Sequence, residues 1–333
     1  MPSDPTRSES THLLPGIRAR AELVQRRANY HLHDRMLSNR SSRRAFRKVS
    51  SALAEPQQDA VGRLEADGIA VMHYDELVGN TVLWDEISAD AARFRTEAEL
   101  QLADSARPRK GKSYLIRRNP KRPKRMTPEL AGKKKAPWRF DPANPWLRLG
   151  VSPSLLGVVN AYRGLLTKLT YFDQWYTIPV GMAADRVASQ NWHRDPEDLH
   201  VVKVFVYLSD VDEEAGPFEY VPGSQPGGRY GDVWPWTFMR GSDYPSPAEF
   251  AKRISPDEYL AVTGKRGTIV LCDSSGFHRG GFARTRPRVM SVYTYVSPAS
   301  LAVGTSWPEF DVRRAKRQSE LTPEASFALH HAA

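Results

Sequence analysis

The sequence predicts a helical N-terminal half followed by an all-β C-terminal half, whose strands would close as a jelly roll or sandwich. Up to about residue 168, apolar residues recur at helical spacing between Arg- and Lys-rich stretches. After that point, apolar residues alternate with polar ones or stand in short runs bounded by turn residues. Several such runs in succession are typical of antiparallel strands in a closed β domain.

The N-terminal half contains the predicted helices and one long loop. We expect helices within 15–50, 52–66, 86–106 and 153–168, and a short strand at 69–73 after a turn at Gly68. Ser152 or Ser154 would cap the last helix. Residues 107–139 contain repeated Lys, Arg and Pro, which disfavour regular structure, so we expect a long basic loop there.

The C-terminal half contains the predicted strands. They are TYFDQWYTI (170–178), LHVVKVFVYLSD (199–210), PFEYVPGS (217–224), GTIVLCD (267–273) and RVMSVYTYVS (288–297).

The length of 333 residues suits one large domain with extensions. We expect a basic, helix-prone arm at 1–50, a single domain at 51–310 and a C-terminal tail at 311–333. The β core of that domain would span about 170–297.

The net charge of +10 is concentrated in two segments. Residues 1–50 contain 11 Lys or Arg and 4 Asp or Glu, and residues 107–139 contain 14 Lys or Arg and one Glu. The rest of the chain is therefore acidic. Both segments are candidates for binding an anionic surface or a phosphate-bearing partner, and ordinary solvated charge is the alternative.

The sequence shows no sign of export or membrane insertion. The N-terminus lacks an apolar signal region, no stretch approaches 18 consecutive apolar residues, and the one cysteine, Cys272, excludes an intramolecular disulfide. We expect a cytoplasmic protein without a transmembrane segment, and peripheral attachment to a membrane stays open.

Two histidines and one carboxylate form a candidate metal site. His193 and Asp195 are two residues apart, so both point to the same side of an extended chain. His278 follows in the same strand-rich half, in GFHRGG. Two His and one carboxylate are the ligands of non-haem Fe(II) oxygenases, and they leave positions open for a co-substrate and dioxygen.

His-x-Asp by itself is a weak pattern, and this sequence contains it twice. The other copy, His73 and Asp75, follows the short strand at 69–73 and has no partner histidine nearby in the sequence, so we interpret it as a turn. His200 is close enough to compete as a ligand, although a structural role suits it better.

Three arginines after His278 are candidates for binding a dicarboxylate co-substrate such as 2-oxoglutarate. Arg288 begins an alternating strand and is therefore held on rigid backbone, which makes it the first choice. Arg286 comes next, and for Arg284 and Arg286 the alternative is solvent exposure in a turn that contains Pro.

From about residue 170 to 297 the chain resembles the phytanoyl-CoA dioxygenase family. The resemblance depends on four features: NWHRD (191–195), YLSDVDEEAGPFEYVPGS (207–224), GFHRGG (276–281) and an Arg about ten residues beyond His278. The family usually has His at the position of Gln225, which is peripheral to the metal site.

The resemblance implies a double-stranded β-helix, cupin-like core flanked by N-terminal helices. It also implies Fe(II) bound by His193, Asp195 and His278, with 2-oxoglutarate and dioxygen as co-substrates and Arg288 binding 2-oxoglutarate. The strand 171–178 is similar to the family strand whose Gln contacts the co-substrate, which would be Gln174. Lys203 is a further candidate for the same pocket, with a position on the barrel rim as the alternative.

The implied activity is hydroxylation of an aliphatic C–H in a small or lipid-linked substrate. Halogenating relatives have Gly or Ala in place of Asp195, so its presence favours hydroxylation, with desaturation left open. Alternatives are an oxygenase that acts on a macromolecule bound by the basic segments, or a basic nucleic-acid- or membrane-binding protein on a jelly-roll scaffold.

The aromatic residues between 224 and 267 would cover the site or pack on the barrel: Trp234, Trp236, Phe238 and Tyr244.

Overall fold

The computed structural model describes residues 36–103, 115–118, 144–180, 188–234, 245–300 and 321–329, with the single residues 28, 32, 34 and 186. In this part of the chain, helices precede two antiparallel β-sheets. The predicted mixture of a β core and N-terminal helices is confirmed.

The described strands form a six-stranded and a three-stranded sheet. The strands are Ile69–His73 (β1), Leu115–Arg118 (β2), Lys168–Thr177 (β3), Val202–Tyr207 (β4), Phe218–Tyr220 (β5), Leu260–Val262 (β6), Thr268–Asp273 (β7), His278–Arg279 (β8) and Arg288–Val296 (β9). The larger sheet has the order β1-β7-β4-β9-β3-β2, and the smaller has the order β6-β5-β8.

The two sheets face each other across an apolar interior. Phe205 of β4 contacts Phe218 of β5, with ring centroids 4.7 Å apart. Met290 and Val292 of β9 belong to the same buried cluster. Two facing antiparallel sheets around one interior are the double-stranded β-helix that the family resemblance implied.

The helices cover the outer face of the larger sheet. They are Ser38–Val49 (α1), Glu55–Asp67 (α2), Tyr74–Leu77 (α3), Thr81–Ala103 (α4), Pro145–Gly150 (α5), Pro153–Arg163 (α6), Pro247–Arg253 (α7) and Pro323–Leu329 (α8). α1 and α7 are exceptions: α1 has no residue in the main core, and α7 lies on a small aromatic cluster that contains Trp192 and Phe250. The main core lies between the other helices and the sheet, where Phe172 of β3 stacks on Tyr293 of β9. Alternate residues of β9 thus face the helices and the interior between the sheets.

Local sequence explains where α6 begins and ends. Ser152 Oγ accepts a hydrogen bond from Leu155 N at 3.3 Å, and Pro153 occupies the first helical position. Gly164 ends the helix in the left-handed conformation at φ 61°. Of the two capping serines expected, Ser152 is the one used.

Several predicted boundaries were wrong. α4 begins at Thr81 rather than 86, where the Asn80 side chain accepts a hydrogen bond from Leu83 N. The long strand predicted at 199–210 is β4 alone. The basic loop at 107–139 includes β2, which pairs antiparallel with β3. Backbone pairing with an open sheet edge outweighs the local charge there.

The rest of the basic loop lies outside the described residues, as does most of the arm before residue 36. No helix in the described part of the chain has both the length and the apolar character that a membrane span needs.

Candidate metal centre

The structure brings His193, Asp195 and His278 together. Their ligand atoms all lie within 4.8 Å of one another. Asp195 Oδ1 is 3.9 Å from His193 Nε2, and Asp195 Oδ2 is 3.5 Å from His278 Nε2. Ligands bonded to one ion at about 2 Å lie roughly 3–4 Å apart, so this spacing is close to that of a metal site.

Backbone hydrogen bonds fix the segments that contain these three residues. His193 and His278 exchange both backbone bonds of an antiparallel bridge, each at 3.0 Å. Asp195 N donates to Ser274 O at 2.9 Å. The ligand segment after β3 is therefore joined to the segment between β7 and β8, which sets the three side chains on one side.

The ring orientation of both histidines suits metal binding. His193 Nδ1 lies 2.8 Å from Asn191 O, and His278 Nδ1 lies 3.0 Å from Gly276 O. A carbonyl oxygen only accepts hydrogen bonds, so each Nδ1 holds the proton and each Nε2 presents its lone pair to the centre. His278 Nε2 is buried and has no hydrogen-bond partner among the described residues, which fits a metal ligand.

The charges of the three groups also suit a metal. Burial lowers the pKa of His278 to about 3 and lowers that of His193, so both imidazoles are neutral near pH 7. Burial opposes ionisation of Asp195, but the ion pair with Lys203 holds its pKa below the usual range. The site thus offers two neutral nitrogens and one carboxylate, the set expected for non-haem iron.

Lys203 lies at the metal centre itself. Its Nζ forms an ion pair with Asp195 Oδ2, and its position on β4 points it into the interior between the sheets. Its side chain is 18% exposed, so it is not a solvated rim lysine. A role in binding the co-substrate remains a prediction.

Arg288 is buried in the same interior, at the first position of β9. Its Nη2 lies 3.5 Å from Thr177 Oγ1 of β3. Gly281, three residues after His278, has no side chain and leaves room for the guanidinium, since a Cβ there would lie 2.8 Å from Arg288 Nη1. By contrast, Arg286 is exposed and pairs with Asp212, and Arg284 is exposed near Glu214.

Gln174 is not brought together with Arg288. The register pairs it with Ser291, next to Val289 and Tyr293, which belong to the core under the helices. Arg288 is paired with Thr177 and faces the other side of the sheet. Asp173, Trp175 and Thr177 are the β3 residues in this stretch that share the interior face with Arg288.

The other histidine candidates lie outside the ligand group. His73 is at the junction of β1 and α3, where its ring accepts a hydrogen bond from Asp75 N. His200 Nδ1 is 2.5 Å from Asp273 Oδ2, which also accepts a hydrogen bond from Tyr162 at 2.7 Å. Although burial favours the neutral acid, His200 and Tyr162 hold the pKa of Asp273 below its usual value.

Arg194 was not predicted to have a role, yet it anchors the ligand segment. It lies between two ligands on an extended chain, so its side chain points away from the centre. Its guanidinium donates to the carbonyl oxygens of Ser224 and Ser275 at 2.5 and 2.6 Å, and to those of Tyr230 and Val233 at 2.9 and 3.0 Å. No local pattern in the sequence identifies such a contact, because its partners are backbone atoms of distant segments.

The aromatic residues after 224 are described only in part. Trp234 packs on Phe250 and Phe277, with ring centroids 6.0 and 6.1 Å apart. Trp236, Phe238 and Tyr244 lie outside the described residues.

A comparison with protein families identifies the region that contains this site. Residues 162–288 match the family model described as phytanoyl-CoA dioxygenase (PhyH). The resemblance noted from the sequence is confirmed, and so is the predicted enzyme class, because the family is one of 2-oxoglutarate-dependent oxygenases.

Solved structures similar to the chain have low sequence identity to it. AviO1 from Streptomyces viridochromogenes Tue57 is 19% identical, over 75% of this chain and 98% of that chain, with a TM-score of 0.45. HygX from Streptomyces hygroscopicus with nickel and 2-oxoglutarate bound is 18% identical, over 78% and 92%, with a TM-score of 0.44. EctD from S. alaskensis with bound Fe is 16% identical, over 75% and 80%, with a TM-score of 0.44. A comparison with curated proteins found no match.

Proposed function

We propose that this protein is an Fe(II)- and 2-oxoglutarate-dependent dioxygenase that hydroxylates an aliphatic C–H of a small or lipid-linked substrate. His193, Asp195 and His278 would hold the iron. The observation that carries the proposal is the convergence of two neutral Nε2 lone pairs and one ionised carboxylate in a buried position. The match of residues 162–288 to the phytanoyl-CoA dioxygenase family model supports the same assignment.

Iron with bound 2-oxoglutarate supplies the power to activate dioxygen and oxidise a C–H bond. The chain's own residues prepare the site for it. The carbonyls of Asn191 and Gly276 keep the protons of both imidazoles on Nδ1, so no proton must leave either ring when the metal binds. The ion pair with Lys203 keeps Asp195 ionised until the carboxylate binds a metal ion.

Arg288 is the proposed partner of the far carboxylate of 2-oxoglutarate. It is buried on a rigid strand, and a planar guanidinium binds a carboxylate through two parallel hydrogen bonds. Thr177 Oγ1 contacts the guanidinium, and Gly281, which has no side chain, lets the guanidinium lie close to the backbone. Gln174 has no part in this proposal because it faces the other side of β3.

The carboxylate at position 195 supports hydroxylation over halogenation. A protein carboxylate in the ligand set fills the position that a halide would otherwise occupy. The buried aromatic and aliphatic residues between the sheets, such as Phe205 and Phe218, keep bulk water from the interior next to His278.

Succinate release after admission of oxygen tests the proposal. Wild-type protein with Fe(II) and 2-oxoglutarate should form succinate. Arg288→Lys should need a roughly tenfold to hundredfold higher 2-oxoglutarate concentration for half-maximal succinate formation, because it loses a bidentate contact. Arg286→Lys is the matched control and should behave as wild type, since Arg286 is exposed. Equal effects of the two variants would contradict the assignment of Arg288.

A further inference from the structure

α1 attaches to the β core through a polar inner side. Asn39 and Ser42 are fully buried. Ser42 Oγ donates to Leu166 O at 2.7 Å, and Asn39 bonds both Ser297 Oγ and Ala299 N, at 3.1 and 3.0 Å. These three bonds fix which side of the helix faces outward.

The chain just before α1 contributes a group of exposed apolar side chains. Leu32, Met36 and Leu37 are 46%, 67% and 50% exposed. Three of the six exposed large apolar side chains among the described residues thus lie within six positions of the sequence. Single exposed apolar residues are ordinary, but a group beside a helix whose buried residues are polar indicates a surface that meets a partner.

The outward side of α1 itself is basic. α1 contains five Arg or Lys and no acidic residue. Arg40, Arg44, Arg47 and Lys48 are all exposed. Arg44 follows Arg40 by four positions, and Arg47 and Lys48 follow Arg44 by three and four, so these side chains lie on one side of the helix. Arg43 is turned toward Asp34 instead. We call Met36, Leu37, Arg40, Arg44, Arg47 and Lys48 the outer stripe.

We propose that the outer stripe docks on a membrane surface that contains anionic lipids. The apolar end would enter the boundary between headgroups and acyl chains, and the four cations would lie at the level of the lipid phosphates. A nucleic acid would satisfy the cations but would leave Met36 and Leu37 in water. The combination of aliphatic and basic side chains therefore favours a lipid surface.

The position of α1 relates this surface to the metal centre. Ser297, which Asn39 contacts, donates its backbone N–H to Asp198 Oδ2 at 2.6 Å. Asp198 lies three residues beyond Asp195 in the ligand segment. The docked membrane would thus lie on the same side of the barrel as the ligand segment, which suits a lipid-linked substrate. This last step rests on the proposed function, whereas the docking does not.

Vesicle co-sedimentation tests the docking. Wild-type protein should bind phosphatidylcholine vesicles that contain about one-third phosphatidylserine, and it should bind pure phosphatidylcholine vesicles far less. Replacing Arg40, Arg44 and Arg47 by Gln should weaken binding roughly tenfold or more, because each cation near an anionic surface contributes separately. Met36→Ser combined with Leu37→Ser should weaken it several-fold on the same vesicles.

The matched control removes the same charge elsewhere. Arg63, Arg93 and Arg95 are exposed on α2 and α4, and their replacement by Gln should leave vesicle binding unchanged. All variants should keep the wild-type melting temperature and Fe(II)-dependent 2-oxoglutarate binding, which separates this proposal from the proposed function. Equal losses in the control, equal binding to both vesicles, or binding of duplex RNA in place of vesicles would overturn the proposal.

Discussion

Arg194 occupies the position between two candidate metal ligands, where the sequence motif specifies no residue type. Its guanidinium is buried against Phe277, with Cζ 3.9 Å from the ring centroid, and it bonds carbonyls of two distant segments. Such an arginine joins the ligand segment to the segments at 224–233 and 274–277. The placement of the candidate ligands therefore depends also on a side chain that points away from them.

We expect Arg194→Met to lower the free energy of unfolding by about 3–5 kcal/mol, because it leaves several buried carbonyls without a donor. It should also weaken Fe(II) binding, since Asp195 is the next residue. Denaturant unfolding and a metal titration measure the two effects. Arg63→Met, on an exposed helix surface, is the control, and equal stability of the two variants would show that the contacts contribute nothing.

The residues of the metal centre could be predicted because their spacing has a direct geometric meaning. Residues i and i+2 of an extended segment share a side, so His193 and Asp195 converge wherever that segment lies. Gln174 could not be placed in this way. A register shift between Leu169 and Tyr171 sets which β3 residues face the interior, and a slip of one residue reverses the face.

At the scale of elements, the segment after β8 approaches the turn before β5 very closely. A Cβ on Gly281 would lie 1.7 Å from Gly216 O and 2.8 Å from Arg288 Nη1. Gly281→Ala should therefore cost about 3 kcal/mol or more of stability and weaken 2-oxoglutarate binding through Arg288. Calorimetry of unfolding and of ligand binding measures both.

Gly62→Ala is the matched control for Gly281→Ala. Gly62 lies within α2, and a Cβ there would meet nothing within 4 Å. Because Ala favours the helix, this variant should be more stable by about 0.5–1 kcal/mol. A Gly281→Ala protein with wild-type stability and 2-oxoglutarate affinity would refute the close approach.

The docking of α8 on β3 depends on a buried lysine and should make stability depend on pH. Lys168 Nζ donates to Phe327 O at 2.7 Å, and burial lowers the pKa of Lys168 from 10.5 to about 8. Between pH 8 and 10.5 the unfolded chain holds a proton that the folded chain has released. Stability should therefore rise with pH through this window, by about 3 kcal/mol at most.

Lys168→Met removes this ionisation and gives the reference. Denaturant unfolding of both proteins should be measured from pH 8 to 10.5. The free energy of unfolding of wild type should rise relative to that of Lys168→Met as the pH rises. A difference that stays constant across the window would mean that Lys168 keeps its ordinary pKa in the folded protein.

The element types were largely predictable, and their edges were not. Helical spacing and alternation identified α2, α6 and the strands β3, β7 and β9, because each has a strong local period. β2 was missed because its local sequence is highly charged, and it forms through pairing with the open edge of β3. A strand that forms because a distant strand pairs with it cannot be recognised from its own short sequence.

For the whole molecule, the C-terminal segment contributes to the main core. Ala325, Ala328 and Leu329 of α8 are buried with the helices that cover the larger sheet. A chain that ends at residue 322 should thus lose about 3 kcal/mol or more of unfolding free energy. A chain that ends at residue 329 is the control and should match wild type. Equal stability of the two truncations would show that α8 does not stabilise the domain.

The overall architecture followed from the division into a helical and a β half, whereas the pairing of the strands did not. Antiparallel alternation indicates that strands exist, but β4 lies between β7 and β9 because of long-range contacts. The double-stranded β-helix was predicted from the family resemblance, which depended on whole motifs rather than on single residues. The boundaries of the domain at 51 and 310 remain predictions.

The central claim is that His193, Asp195 and His278 form an Fe(II) site at which 2-oxoglutarate binds. Anaerobic calorimetric titration of 2-oxoglutarate into the protein, with and without Fe(II), tests it most directly. Wild type should bind 2-oxoglutarate much more tightly with Fe(II), His278→Ala should lose this dependence, and His73→Ala should keep it. Metal-independent binding by wild type, or unchanged Fe(II)-dependent binding by His278→Ala, would contradict the claim.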